Sequence, residues 1–344
     1  MSKTIMITGG TGYIGAWIVK MLLEKSYTVR MTVRNKAKKE KYEKLEQLQE
    51  QLPGKLEIWE ADLLKEGSYD GAAKGADAII HVASPFILRF KDAKKDLLDP
   101  ALLGTRNVLN AATRSGTVKK VVLTSSVAAV FGDNIDMAEQ GLNEFTEQHF
   151  NTTSSAKHQP YSYSKIIAEK EAWSIAKQQN SWKLVVINPS FVLGPALNGS
   201  SDSESLNFMK DILKGRFFFG APDLMFGFVD VRDVARAHIV ALEKEDADGR
   251  HILAVKTMSI MDLTNMMKKM YGSKYKLPLM KAPKPLLMLI GGLFGVTPKF
   301  VKRNVGHKIR LNTTRSTEKL GLQYRNMEET ILEMVEQMHK QKLV

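Results

Sequence analysis

The feature that most constrains this chain is a glycine cluster near its start, Thr8-Gly9-Gly10-Thr11-Gly12-Tyr13-Ile14-Gly15. A short β-rich run, Thr4–Thr8, precedes it. A helical pattern over Tyr13–Glu24 follows, with apolar residues at Ile14, Ile18, Met21 and Leu22. Gly10, Gly12 and Gly15 satisfy G-x-G-x-x-G, and Gly9, Gly12 and Gly15 satisfy a wider G-x-x-G-x-x-G spacing. Glycine is needed at such positions because the turn is tight, the backbone must come close to a pyrophosphate, and the helix must pack on the strand. The helix N-terminus adds N–H groups and partial positive charge.

An isolated triplet would be only a Gly-rich turn, but this one heads a series of alternating elements. Strand patterns at Thr28–Val33, 56–59, 78–82, 121–125 and 184–188 are interleaved with helical patterns at 38–51, 102–112 and 164–178. Strands spaced by helices of this length imply right-handed crossovers and a parallel sheet covered on both faces. After Pro189 the alternation ends. A polar Gly/Ser stretch at 198–205, a Phe-rich turn at 215–220 and a Pro/Gly-punctuated apolar segment at 278–298 suggest a smaller lobe over the C-terminal edge of the sheet, and 327–338 reads as a closing helix. The expected fold is therefore α/β, a Rossmann-type doubly wound parallel sheet with a smaller, mostly helical C-terminal substrate lobe. Residues 1–190 with about 228–255 would form the first domain, and 191–227 with 256–344 the second.

Composition excludes several chemistries. The 344 residues contain no Cys, which removes disulfides, thiolate metal sites and a Cys nucleophile, and the seven His show no ligand spacing, so no metal is expected. The N-terminus has no secretory pattern, and the longest apolar run, 286–296, is broken by Gly291 and Gly292, well short of the ~20 residues a spanning helix needs. A cytoplasmic protein with no membrane span is expected.

The formal charge is +13, and its distribution is uneven. No acidic residue lies between Asp262 and Glu318, where Lys and Arg supply twelve positive charges, leaving +1 for the rest. This stretch reads as a basic surface, as a means of steering anionic ligands, or as a loose contact with anionic membrane. A second cluster runs from Arg34, 19 residues after Gly15 at the predicted end of the second strand, through Lys36, Lys38, Lys39 and Lys41 to Lys44 against Glu40 and Glu43, and reads either as a solvated basic loop or as a phosphate site. An NAD site normally carries Asp or Glu there; Arg suits a 2′-phosphate, so NADP(H) is the expected cofactor. Nucleic acid is not expected, because no groove-reading module accompanies the charge. Asp62, just beyond the third strand, is a candidate acceptor for an adenine amino group or else an ordinary loop Asp.

Tyr161 and Lys165 stand four residues apart in Tyr161-Ser162-Tyr163-Ser164-Lys165, so one helical face brings them together. A phenol needs help to exchange a proton near neutrality, and an adjacent ammonium would supply it. Ser125-Ser126 ends the fifth predicted strand at the same edge of the sheet, where a hydroxyl could hold a carbonyl oxygen while the phenol delivers a proton and a nicotinamide delivers hydride.

Together these motifs resemble the extended short-chain dehydrogenases/reductases, in the group of dihydroflavonol 4-reductases and cinnamoyl-CoA reductases. The likeness extends over nearly the whole chain, through 8–15, Thr32-Val33-Arg34, Glu60-Ala61-Asp62-Leu63, His81-Val82-Ala83-Ser84-Pro85, 123–130, 161–173, 188–195 and 228–234. The resemblance implies Ser126, Tyr161 and Lys165 as the catalytic triad. It implies a cofactor site of Gly9, Gly12, Tyr13, Ile14, Gly15, Arg34, Lys41, Asp62, Leu63, Val82, Ala83 and Pro189, with Tyr161 and Lys165 also touching the cofactor. Phe86, Ile87, Val127, Phe191 and Phe217, Phe218 and Phe219 are candidate walls of the substrate pocket.

The chain departs from plant cinnamoyl-CoA reductases at Gln159-Pro160-Tyr161-Ser162-Tyr163, where those have Asn-Trp-Tyr-Cys-Tyr, and lacks in 206–215 the His and Lys associated with CoA thioesters. Reduction of an apolar or aromatic aldehyde or ketone by NADPH is thus the expected activity, on a small-molecule substrate, by a monomer or homodimer. The alternatives are an NAD-dependent nucleotide-sugar epimerase or dehydratase of the same superfamily, and a non-catalytic NADP(H) sensor.

Overall fold

A computed structural model describes residues 3–84, 91–197, 203–294 and 296–344. Seven strands form one parallel sheet: β1 (Thr4–Thr8), β2 (Thr28–Val33), β3 (Lys55–Glu60), β4 (Ala78–His81), β5 (Lys120–Thr124), β6 (Lys183–Pro189) and, after the three-residue β7 (Phe191–Leu193) and β8 (Met225–Asp230), β9 (Gly249–Leu253). Their order is β3-β2-β1-β4-β5-β6-β9, and every neighbouring pair is parallel. The order reverses between β1 and β4, which opens a crevice at the C-terminal ends of these strands.

The continuous apolar strands follow from burial on both faces. Because side chains alternate, Ile5, Ile7, Ile80, Val122, Val185 and Ile187 enter one core with the helices Tyr13–Glu24 and Val231–Glu243. Met6, Ile79, Val121, Leu123 and Val186 enter the opposite core with Asp99–Ser115 and Pro160–Lys177. β9 was hidden in the sequence because Gly249-Arg250-His251 at its head carries no apolar pattern.

The helix expected at 102–112 runs from Asp99 to Ser115, and two further differences bear on the cleft. The helix expected at 164–178 begins at Pro160, whose missing N–H suits the first helical turn, so Tyr161 and Lys165 lie on the same helix. The helix expected over 38–51 is instead a 3₁₀ turn, Lys39–Lys41, followed by the short helix Glu43–Gln49. The C-terminal part combines a three-stranded sheet, in which β8 lies between β7 and β10 (Lys256–Ser259), with the helices Glu204–Leu213, Ile260–Tyr271 and Met327–Lys340. Their shared core contains Leu206, Met209, Phe228, Met267 and Met334, so part of the abundant methionine fills this lobe. Among the described residues, no helix is long and apolar enough to cross a membrane.

Candidate active site

The crevice at the strand ends is a cleft of about 1430 Å³. Gly9, Gly12, Tyr13, Ile14, Gly15, Arg34, Lys41, Asp62, Leu63, Val82, Ala83, Ser126, Val127, Tyr161, Lys165, Pro189 and Phe191 all line it. Phe86 and Ile87 lie outside the described residues. The Phe217–Phe219 expectation is corrected: Phe217 packs against the lobe core, Phe218 and Phe219 meet edge-on at 5.3 Å, and Phe219 is 88% exposed. None of the three borders the cleft; the turn carrying them is hydrogen-bonded through Phe218 and Ala221 to 279–282.

The glycine turn is built as its spacing requires. Gly9 has φ of +68°, and a Cβ there would stand 2.7 Å from the Ala83 backbone nitrogen. A Cβ on Gly15 would meet the Gly9 carbonyl oxygen at 2.0 Å. Gly12 N–H donates to that same carbonyl at 3.0 Å, while Gly12 brings no side chain to cap the following helix. The helix end thereby has no side-chain cap from Gly12, an arrangement that suits an anion. Tyr13 borders the cleft, yet its hydroxyl donates to the Gly194 carbonyl at 2.6 Å, and Trp17 Nε1 donates to Pro195 at 2.8 Å. These bonds fasten the first helix to the segment after β7.

Arg34 and Lys41 are exposed on the cleft and have no carboxylate partner among the described residues. With Arg34 at the end of β2 and Ser126 just beyond β5, three strand spacings separate them, about 14 Å across the sheet. Asp62 also reaches the cleft, although its Oδ1 accepts the Leu64 N–H at 2.9 Å and so closes its own turn.

Ser126 starts a single 3₁₀ turn, its Oγ accepting the Ala128 N–H at 3.1 Å, and its side chain is hydrogen-bonded to Tyr161. Lys165 Nζ lies 5.7 Å from the centroid of the Tyr161 ring. Burial pushes the phenol above its ordinary value, and the bond from Ser126 opposes that rise. In the protein without cofactor, burial sets the direction of this shift. Burial lowers Lys165 to about 8, with Glu169 acting in the opposite sense.

Sequence reasoning missed the layer beneath these residues. Glu169, fully buried one turn after Lys165, accepts from Ser125 Oγ at 2.5 Å and from Asn188 Nδ2 at 2.8 Å, and pairs with Arg250. Asn188 Nδ2 also donates to the Ser126 carbonyl at 3.1 Å. A buried carboxylate four residues after Lys165 was the available signal. On the lobe side Met225, Phe226, Phe300 and Ile309 face the cleft, giving it an apolar wall that local sequence did not mark.

The model of the NAD dependent epimerase/dehydratase family matches residues 5–255. The chain belongs to that family. Within it, the sequence is 36% identical over 276 residues to a cinnamoyl-CoA reductase of Medicago truncatula, covering 79% of this chain and 82% of the relative. It is 35% identical over 285 residues to a (2S)-flavan-3-ol-forming anthocyanidin reductase of Vitis vinifera, covering 80% and 83%. Gre2 from Candida albicans, solved with NADPH, superposes with a TM-score of 0.76 at 32% identity over 98% of this chain and 99% of that one. The family member described here is thus an extended short-chain dehydrogenase/reductase of the reductase group to which the sequence motifs pointed.

Proposed function

We propose that the protein reduces an apolar aldehyde or ketone to the alcohol, with NADPH as reductant and Tyr161 as proton donor. The observation that carries this reading is the conjunction, in one cleft, of a glycine phosphate cradle, two exposed cations at the β2 end and the Ser126–Tyr161–Lys165 cluster at the β5 end. The enzyme class, an NADP-dependent oxidoreductase, agrees with the reductase relatives and the NADPH-bound neighbour.

The residues fit the cofactor. Gly9, Gly12 and Gly15 would receive the pyrophosphate, Arg34 and Lys41 the 2′-phosphate, and Val82, Ala83 and Pro189 would border the nicotinamide half, with Lys165 at its ribose. When bound, NADPH supplies the hydride to the carbonyl carbon. The chain supplies the rest: Ser126 and Tyr161 hold the carbonyl oxygen, and the phenol proton passes to it as the C–H bond forms. A phenol held above its ordinary value keeps that proton until negative charge develops on the substrate oxygen. Val127, Phe191, Phe226 and Phe300 would exclude water and favour an apolar substrate. In this reading residues 1–190 with about 228–255 are the cofactor domain, and 191–227 with 256–344 the substrate lobe.

The test is NADPH oxidation against a panel of carbonyl compounds. Tyr161→Phe should lose roughly 100-fold or more in kcat while still binding NADPH. Absence of turnover with every carbonyl, or a Tyr161→Phe enzyme as active as the parent, would overturn the proposal. A purified protein carrying tightly held NAD would favour epimerase chemistry instead.

A further inference from the structure

Asp133 is completely buried, and donors surround it from two separate parts of the chain. From the segment leading into Tyr161, Gln159 Nε2 donates to Oδ1 at 2.6 Å and His158 Nε2 lies 2.9 Å from Oδ2. From the lobe helix Pro298–Asn304, Asn304 Nδ2 donates to Oδ1 at 2.7 Å and Arg303 Nε to Oδ2 at 2.5 Å. Arg303 is also held by Asp136 Oδ1 at 2.9 Å, and Asp136 Oδ2 in turn accepts Thr153 Oγ1 at 2.6 Å. Burial alone would raise the Asp133 carboxyl, but the bonds from His158, Arg303 and Asn304 outweigh it and hold the group below its ordinary value.

The two sides of this carboxylate have different business in the cleft. Gln159 immediately precedes Pro160-Tyr161 and has φ of +54° and ψ of +58°, a left-handed conformation that a glutamine keeps only when its surroundings hold it. Its amide also donates to the Gly132 carbonyl at 2.8 Å. Across from it, Asn304 and Phe300 line the cleft from the lobe. A buried ion pair contributes little net stability relative to apolar packing.

We propose that Asp133 is a positioning residue that links the lobe wall of the substrate pocket to the placement of Tyr161. Movement of the lobe helix shifts Arg303 and Asn304, hence Asp133, hence Gln159 and the first turn of the helix bearing the phenol. This rests on the reading of Tyr161 as proton donor, and it extends that reading to how the lobe communicates with the acid.

Three variants test it in the full chain. Asp133→Asn keeps the shape but presents an amide to a ring of donors; kcat should fall roughly 10- to 100-fold and the carbonyl KM should rise, with the NADPH Kd within about twofold. Arg303→Met cuts the link from the lobe side and should act more on KM than on kcat, whereas Gln159→Leu should act mainly on kcat. Adding either to Asp133→Asn should cost little more, because the link is already broken. Amide hydrogen exchange over 160–165 with NADP⁺ bound should rise in Arg303→Met, and this readout requires no turnover. Asp133→Asn that lowers Tm while leaving kcat and KM unchanged would overturn the proposal. So would Arg303→Met and Gln159→Leu changing kcat and KM in the same proportion, or unchanged exchange at 160–165. If the parent reduces no carbonyl, the Tyr161 reading fails while the exchange result still decides the link. If Asp133→Asn does not fold, the other two variants decide it.

Discussion

Arg250, on the edge strand β9, places its Nε 2.5 Å from Oε1 of Glu169, one helical turn beyond Lys165. Both side chains are buried, and the guanidinium also lies 4.0 Å over the Phe150 ring. The pair joins the last strand of the sheet to the helix carrying Tyr161. Through Ser125 and Asn188 it also holds the backbone that presents Ser126.

Removing both partners of this pair should cost less than the sum of removing each. Glu169→Gln leaves a buried guanidinium without its counter-charge, an expected loss of about 3–5 kcal/mol. Urea unfolding should show Glu169→Gln with Arg250→Met to be less destabilised than the sum of the two single changes. Strict additivity would mean that the ion pair is not coupled.

Arg34→Ala should erase cofactor preference without touching chemistry. A charge-assisted bond to phosphate contributes about 1.5–3 kcal/mol, so kcat/KM with NADPH should fall roughly 10- to 100-fold while kinetics with NADH change little. Equal losses with the two cofactors would place the 2′-phosphate elsewhere.

Activity and stability should move in opposite directions at alkaline pH. Burial lowers Lys165 to about 8, so its ammonium is lost as pH rises through that value, and kcat/KM for reduction should decline. In the unfolded chain the same amine keeps its proton to about 10.4. Between these values the unfolded state binds more protons, and the Lys165 contribution to stability therefore rises with pH. Parallel pH profiles of rate and Tm check both signs, and Lys165→Met should remove the rise in stability.

The glycines of the cradle should fail for different reasons. Gly15→Ala drives a methyl to 2.0 Å from the Gly9 carbonyl oxygen and should disrupt the turn itself, lowering Tm. At Gly12 a Cβ meets only that oxygen, at 3.2 Å, so Gly12→Ala should keep the fold and weaken NADPH binding. Thermal melts beside NADPH fluorescence titrations separate the two outcomes.

Much of the site was legible because its signals are local. The glycine turn, Arg34 at the end of β2, Ser126 at the end of β5 and the four-residue step from Tyr161 to Lys165 are each read within a few residues, and the βα alternation orders them along one sheet edge. Tyr13 shows where such reading stops: its place at the cleft was foreseen, but its bond to Gly194 depends on a residue far along the chain. The twelve cations of 263–317 show the same limit. Lys281 pairs with Asp223, Arg315 with Asp248, Arg303 with Asp133, Asp136 and Glu139, and Lys284 donates to the carbonyls of Lys302 and Val305. A part of what reads as one basic surface is therefore structural pairing.

The sequence by itself determined the sheet, the crevice at its carboxyl edge, and which residues at the strand ends line that crevice, because periodicity and glycine turns are short-range properties of a chain. Tertiary structure decided what supports them: Glu169 with Arg250, Asp133 with Gln159 and Arg303, and the apolar lobe wall of Phe226 and Phe300. Buried charges must be satisfied wherever partners can reach them, and here those partners arrive from elements distant in sequence, so only the folded chain brings them together.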